Sequence, residues 1–445
     1  MKSKFLTGLG VSVLFFAFTS CKKYLTEFPN NSIASENAII DAGTARAAII
    51  GAYDGLQGFY SSNFPTLGTI TADAVVFNGT LSEYLQLDQN AIPTDNVITV
   101  AGYRRLYANI NLVNSIIAKV PTVVDPLLPE AEKNKILGEA HFIRALDYFD
   151  LARGWGGVQL QLLPTSDLSA LKGIKRSSLS QTFDQVLADL VKAEELLPDD
   201  ATTRNRAQKS IARALRARLH LYREQWVEAE NYATQVINNT KYGLVPEYKS
   251  FFTAPFLTKE SVFELTYSAN DRNGYWGTWY PSSFGGSYTL KPSNSIVEKL
   301  NNPNIGGSRN TLIAGSGNSV YGVLYNTVST STDPSYVIRI SELYLIRAEA
   351  RANQGKLLES LNDLNEIRKR AKVPESNANT KADLLQAIED ENGIEFAFEG
   401  HRWFDLTRTK RAGLVLGVAN ANYWLFPLPF SDSFSDGDFE QNPGY

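Results

Sequence analysis

The sequence predicts a mostly α-helical protein of stacked helical hairpins, interrupted by one irregular, loop-rich insertion. Three observations carry that expectation. Apolar residues recur at spacings of three and four through a succession of long stretches, the signature of one-sided helices. Small residues face one another across paired stretches, which lets two helices approach closely. Between residues 241 and 333 this periodicity stops, and Gly, Ser, Asn, Thr and aromatic residues take over. The chain of 445 residues holds 23 Phe, 21 Tyr and 6 Trp against 3 His, which suits ring stacking better than acid–base chemistry.

The first segment reads as an export signal. Lys2 and Lys4 precede an apolar run from Phe5 to Phe18 that is of signal-peptide length and short for a membrane span. Phe18-Thr19-Ser20 leads to Cys21, the single cysteine, in a setting that resembles a bacterial lipobox. Residues 1–20 are therefore expected to be a lipoprotein signal, Cys21 the lipidated first residue, and residues 21–31 a tether. With no later cysteine, no internal disulfide forms, and a core of this size needs none. Losing Lys2 and Lys4 takes the formal charge from −4 to −6, and no basic stripe for nucleic acid is present.

The helical elements follow in order. Helices are expected over Thr44–Phe59, Thr99–Lys119 and Glu130–Ala152, the last stopped by Gly154, Gly156 and Gly157. Another starts at Ser180 as cap. Lys209–Tyr222 and Trp226–Asn238 form a hairpin of tetratricopeptide type, in which Ala229 and Ala233 permit close packing and Trp226 fills the wedge. Ser261–Tyr267 is strand-like. Tyr336–Asn353 and Leu357–Lys369 make a second hairpin about Gly355. Thr380–Phe398 is a further helix, and Ala421–Tyr445 is mostly coil. The expected organisation is a helical part over 32–240, the insertion over 241–333 and a second helical part over 334–445. Such hairpins bury their faces only by stacking.

Four blocks in order resemble the SusD/RagB family, the outer-membrane nutrient-binding lipoproteins of Bacteroidota. They are Gly138-Glu139-Ala140-His141-Phe142-Ile143-Arg144-Ala145 with Tyr148-Phe149 and Gly154-Trp155-Gly156-Gly157-Val158; Arg339 through Ala350; Glu395 with Glu399-Gly400-His401-Arg402-Trp403-Phe404-Asp405-Leu406; and Gln441-Asn442-Pro443-Gly444-Tyr445. The resemblance implies a SusD-like fold around tetratricopeptide-like hairpins and capture of glycans or other nutrients at the cell surface. It also implies partnership with a SusC-like TonB-dependent transporter, no cofactor and no catalysis. Lys22 and Lys23 depart from the family pattern, in which acidic residues often follow the lipidated cysteine, and bear on which membrane face the protein occupies.

Within that expectation the insertion supplies the candidate ligand residues. Tyr275, Trp276, Trp279 and Tyr280 lie together, followed by Phe284 and Tyr288. Flat rings stack on the C–H faces of sugars, while Asp271, Arg272 and Asn273 beside them could satisfy hydroxyls. The same rings would also serve to anchor a glycine-rich loop. Phe77, Asn78 and Tyr84, after the first helix, form a second candidate patch. Arg309, Asn310 and Tyr321 form a third.

Other chemistry finds little footing. Glu342, Arg347, Glu349, Arg402 and Asp405 read as buried ion pairs that lock helices. Glu395 and Glu399 share a helix face and could be drawn as a hydrolytic pair, but the spacing equally describes a salt-bridging face. His141, His220 and His401 lie too far apart in sequence to suggest a zinc site. Asp271-Arg272-Asn273-Gly274 lacks the closing glutamate of a calcium loop. No phosphate loop or Gly-x-Ser-x-Gly elbow occurs. The expected function is cell-surface oligosaccharide capture. The alternative is a helical-repeat interaction or structural module of the outer membrane without a sugar site.

Overall fold

The computed structural model describes residues 39–165, 173–199, 203–430 and 440–445. The leader, Cys21 and the tether lie outside these described residues. The first half runs α1 (Ala42–Tyr60), α2 (Asn63–Ile70), β1 (Val75–Phe77), α3 (Ser82–Asp88), α4 (Val97–Lys119), α5 (Glu130–Trp155), α6 (Leu179–Leu196), α7 (Lys209–Tyr222) and α8 (Trp226–Ile237). The insertion carries β2 (Ser261–Leu265), α9 (Trp276–Trp279), β3 (Leu290–Pro292), α10 (Asn294–Asn301), β4 (Ile313–Ala314) and β5 (Tyr321–Gly322). Then come β6 (Ser335–Arg339), α11 (Ile340–Asn353), α12 (Leu357–Arg370), α13 (Lys381–Glu395), α14 (Arg402–Arg408) and α15 (Ala412–Val415).

Eight of these helices stack in series. α1 packs on α4, α4 on α5, α5 on α6, α6 on α7 and α7 on α8, and α8 packs on α11, which pairs with α12. The contact of α8 with α11 makes one stack of the hairpins before and after the insertion. Ala212, Ala217, Ala229 and Ala233 are fully buried where α7 meets α8, as are Ala348 and Ala352 in α11, so backbones approach without voids. Side-chain caps fix several starts. Asp41 and Thr44 form a capping box at α1, and Thr380 caps α13. The cap of α6 is Ser178, reciprocated by Gln181, two residues before the expected Ser180. Gly156, at φ +84°, turns the chain out of α5, a conformation only glycine adopts without strain.

Two further expectations need correction. Residues 335–339 are strand, not helix: β6 pairs antiparallel with β2, with both strands buried throughout, and the β-branched Val337 and Ile338 suit that pleated interior. Tyr336, Ile340 and Leu343 recur at helical spacing across the boundary, which hid it. Trp226 is only half-buried and lines a cavity, so it does not fill the wedge of its hairpin.

The interior is strongly charged. Arg218 pairs with Glu342 at 2.6 Å, Arg347 with Asp363 and Arg408 with Glu349 at 2.7 Å, and Arg402 with Asp73 at 2.9 Å. These are the helix-locking ion pairs the sequence implied. A denser group surrounds Arg339, which reaches Glu399, Glu260 and Glu395, while Arg370 also holds Glu260 and Glu395 and Arg309 also reaches Glu395. The C-terminal coil is pinned: Asn442 donates to the carbonyls of Trp155 and Phe426, and Gln441 closes two bonds with the backbone of Leu428.

Candidate functional site

Three loops meet in a surface of aromatic rings. β1 pairs antiparallel with β3, placing Phe77 opposite Leu290. The next residue extends the join: the Asn78 N–H donates to Thr289 O, and its carboxamide donates to Tyr288 O, both at 2.8 Å. Phe77 stacks on Tyr84 of α3 with centroids 5.8 Å apart and planes 17° from parallel. Tyr288 in turn donates its hydroxyl to Val320 O at 2.6 Å, tying in the loop between β4 and β5.

Beyond Tyr288 lies a second ring group. Tyr280 touches Tyr321 at 4.8 Å and meets Phe284 edge-on at 5.8 Å, and Phe284 reaches Tyr321 at 5.7 Å. Trp276 sits edge-on against Tyr280, its indole N–H held by Ser331 Oγ at 2.8 Å. Phe284 is 52 % exposed, an unusual state for so large an apolar ring. Trp276, Tyr321, Tyr288, Phe77 and Tyr84 are half-buried. Each ring leans on a neighbour rather than on solvent, so the surface is pre-formed. Asn78, Ser287 and Asn318 are exposed around it and offer hydrogen bonds.

The structure separates the sequence candidates. It brings Trp276, Tyr321, Phe77, Asn78 and Tyr84 to this ledge, with Tyr280 beneath at 7 % exposure. Four others are interior and are corrected here. Trp279 packs on Phe398 at 4.9 Å, with Gly322 against its face. Tyr275 is buried, sharing a 3.0 Å hydrogen bond with Thr66. Asn273 is fully buried; its carboxamide donates to Asp333 O and accepts from the Tyr275 N–H, bracing the loop. Arg309 is fully buried on Glu391 at 2.5 Å. Asp271 and Arg272 are exposed, but they line a separate open groove of about 450 Å³ against α1 and α4, where Asp271 accepts from Gln57. Asn310 is exposed. Phe284 and Tyr288 prove more central than their place in the sequence suggested; the signal was Phe284 in Ser-Phe-Gly-Gly, a large ring flanked by turn residues with no apolar period.

Glu395 and Glu399 do not face a groove. Arg339 chelates Glu399 at 2.7–2.8 Å and Glu395 is bonded to Arg339 and Arg370. Burial pushes Glu399 up to about 7 despite that guanidinium, with Glu395 and Glu260 adding repulsion. His141 bonds Asp189 and His220 bonds Gln225, while burial drives His401 down to about 3. Among the described residues no helix is long and apolar enough to cross a membrane.

Comparison with known proteins decides the family. A model described as starch-binding associating with outer membrane, of SusD-like type, matches residues 23–221, and the SusD family model matches residues 301–423. The chain belongs to the SusD/RagB family. A SusD-like protein of Formosa agariphila is 26 % identical across 99 % of this chain and 98 % of its own. A SusD superfamily protein of Bacteroides vulgatus superposes with a TM-score of 0.81 at 22 % identity, covering 91 % of this chain and 99 % of that one. A laminarin-binding SusD-like protein gives 0.80 at 21 % identity over 92 % and 100 %. These structural likenesses establish the mostly helical SusD fold.

Proposed function

We propose that this SusD-family protein captures an oligosaccharide on the ring ledge and passes it to a TonB-dependent outer-membrane transporter. The observation that carries the reading is the exposed Phe284, set with Tyr321, Trp276 and the stacked Phe77–Tyr84 pair on three loops joined by backbone hydrogen bonds. Rings of this kind cover the apolar faces of pyranoses, and Asn78 and Asn318 at the rim suit hydroxyls. The starch-binding description of the family and the laminarin-binding neighbour support a glycan ligand. Lipidation at Cys21 would hold the protein on the outer membrane, consistent with the family's description. In this reading the protein performs no chemical step.

The test is calorimetric titration of the mature protein with laminarin, starch and xylan, repeated with Phe284→Ala and Tyr321→Ala. Binding of one glycan that weakens in both variants is the expected result. Binding that neither variant alters would move the site off the ledge. Absence of any glycan binding, together with capture of a membrane protein, would favour the interaction module.

A further inference from the structure

A second cavity, lined by no ledge residue, lies among α8, α11, α13 and α14. Its volume of about 430 Å³ falls in the range of about 300–1,000 Å³ typical of small-molecule pockets. Three arginines line it, and each is already chelated by a carboxylate: Arg402 by Asp73, Arg408 by Glu349 and Arg411 by Glu389. No guanidinium is left to recruit an anion.

The unspent groups are of another kind. The indole N–H of Trp226 and the carboxamide of Asn392 have no hydrogen-bond partner among the described residues. Asp405 spends Oδ1 on Arg408, and its Oδ2 is buried out of contact with anything the size of a water molecule. Leu385 and Ile388 add an apolar stretch to the lining. One aromatic ring, an apolar stretch, one donor and one amide, with every positive charge neutralised, fit a neutral polyhydroxylated ring. They do not fit an acid, a phosphate or a fatty chain.

We propose that this cavity is a binding site for a neutral mono- or disaccharide, separate from the ledge and independent of it. Trp226 would cover a sugar face, with the Asn392 carboxamide taking hydroxyls. The volume holds one or two sugar rings, so the site would read short saccharides while the ledge holds long ones.

The test uses the mature protein labelled with 5-fluorotryptophan, the Trp226 resonance being assigned by its loss in Trp226→Phe. The probes are glucose, maltose, laminaribiose and cellobiose, with glucuronate and spermidine as charged controls. We expect a saturable shift of the Trp226 resonance with at least one neutral sugar, retained in Phe284→Ala, where the ledge is impaired. Ala382→Trp, at an exposed position on the cavity rim, should weaken that response at least about tenfold without disturbing the fold. A resonance unmoved by every neutral sugar, one moved by glucuronate or spermidine alone, or a response that Ala382→Trp leaves intact would each overturn the proposal.

Discussion

Arg339→Met tests how the charged interior holds this fold. Arg339 makes two hydrogen bonds to Glu399, one each to the carboxylates of Glu260 and Glu395, and one to the Glu395 carbonyl. The three carboxylates do not suffer equally when it is removed. Glu260 keeps Arg370, and Glu395 keeps both Arg370 and Arg309. Glu399 has Arg339 as its side-chain partner and would be left as an uncompensated buried carboxylate. Breaking a buried pair in this way costs about 3–5 kcal/mol. Glu399→Gln in the same background removes the stranded charge, leaving mainly lost hydrogen bonds, so the double variant should recover about 1–3 kcal/mol. Urea unfolding followed by tryptophan fluorescence above pH 7.5 reads both quantities. If Arg339→Met costs under about 1 kcal/mol, or the two changes simply add, Glu399 is not charged and dependent on Arg339 as argued.

Three further outcomes are expected. Glu399, raised from 4.5 to about 7, keeps a proton in the folded state that the unfolded chain has released, so this group lowers stability as pH rises between those values; Glu399→Gln should flatten that part of a melting-temperature profile against pH. His401, lowered from 6.5 to about 3, is neutral when folded and charged when unfolded, so it lowers stability as pH falls through that window, and His401→Gln should soften the acid limb of the same profile. Phe284→Ala and Tyr321→Ala should each weaken glycan binding by about 1–2 kcal/mol, five- to thirtyfold by calorimetry, whereas the buried Trp279→Ala should cost about 3–5 kcal/mol of stability in unfolding experiments.

The helical stack was legible because its signal is local. Apolar spacing located α4, α5, α7 and α12 to within a few residues, and paired alanines identified the α7–α8 hairpin. The strand at 335–339 was not legible, since a buried strand running straight into a helix leaves no change of period at the boundary. The candidate site was half legible. Aromatic enrichment pointed to the loop that carries the ledge, but the four rings of one short segment diverge: Trp276 faces the surface edge while Tyr275, Trp279 and Tyr280 turn inward. Which ring turns in depends on partners far away in sequence, namely Thr66, Phe398 and Gly322. Arg309 misled for the same reason: its partners, Glu391 and Glu395, come more than eighty residues later.

Those long-range partners explain how flexible-looking loops can present a fixed surface. Arg309 carries the segment before β4 onto α13, and it does so from a fully buried position between Glu391 and Glu395. Arg402 of α14 grips Asp73, just ahead of β1, with two bonds. Gly68 of α2 lies so close to the Gly400 carbonyl that a methyl group there would stand 2.0 Å from the oxygen, so the helix preceding the first ledge loop is seated directly on the α13–α14 turn. Both sides of the ledge are thus bolted to the same C-terminal helices. A ring surface fixed before the ligand arrives loses little conformational freedom on binding, so modest stacking energies suffice for capture. If the ledge binds glycan as proposed, the charged interior is part of that binding device, because it sets the positions of rings that it never touches.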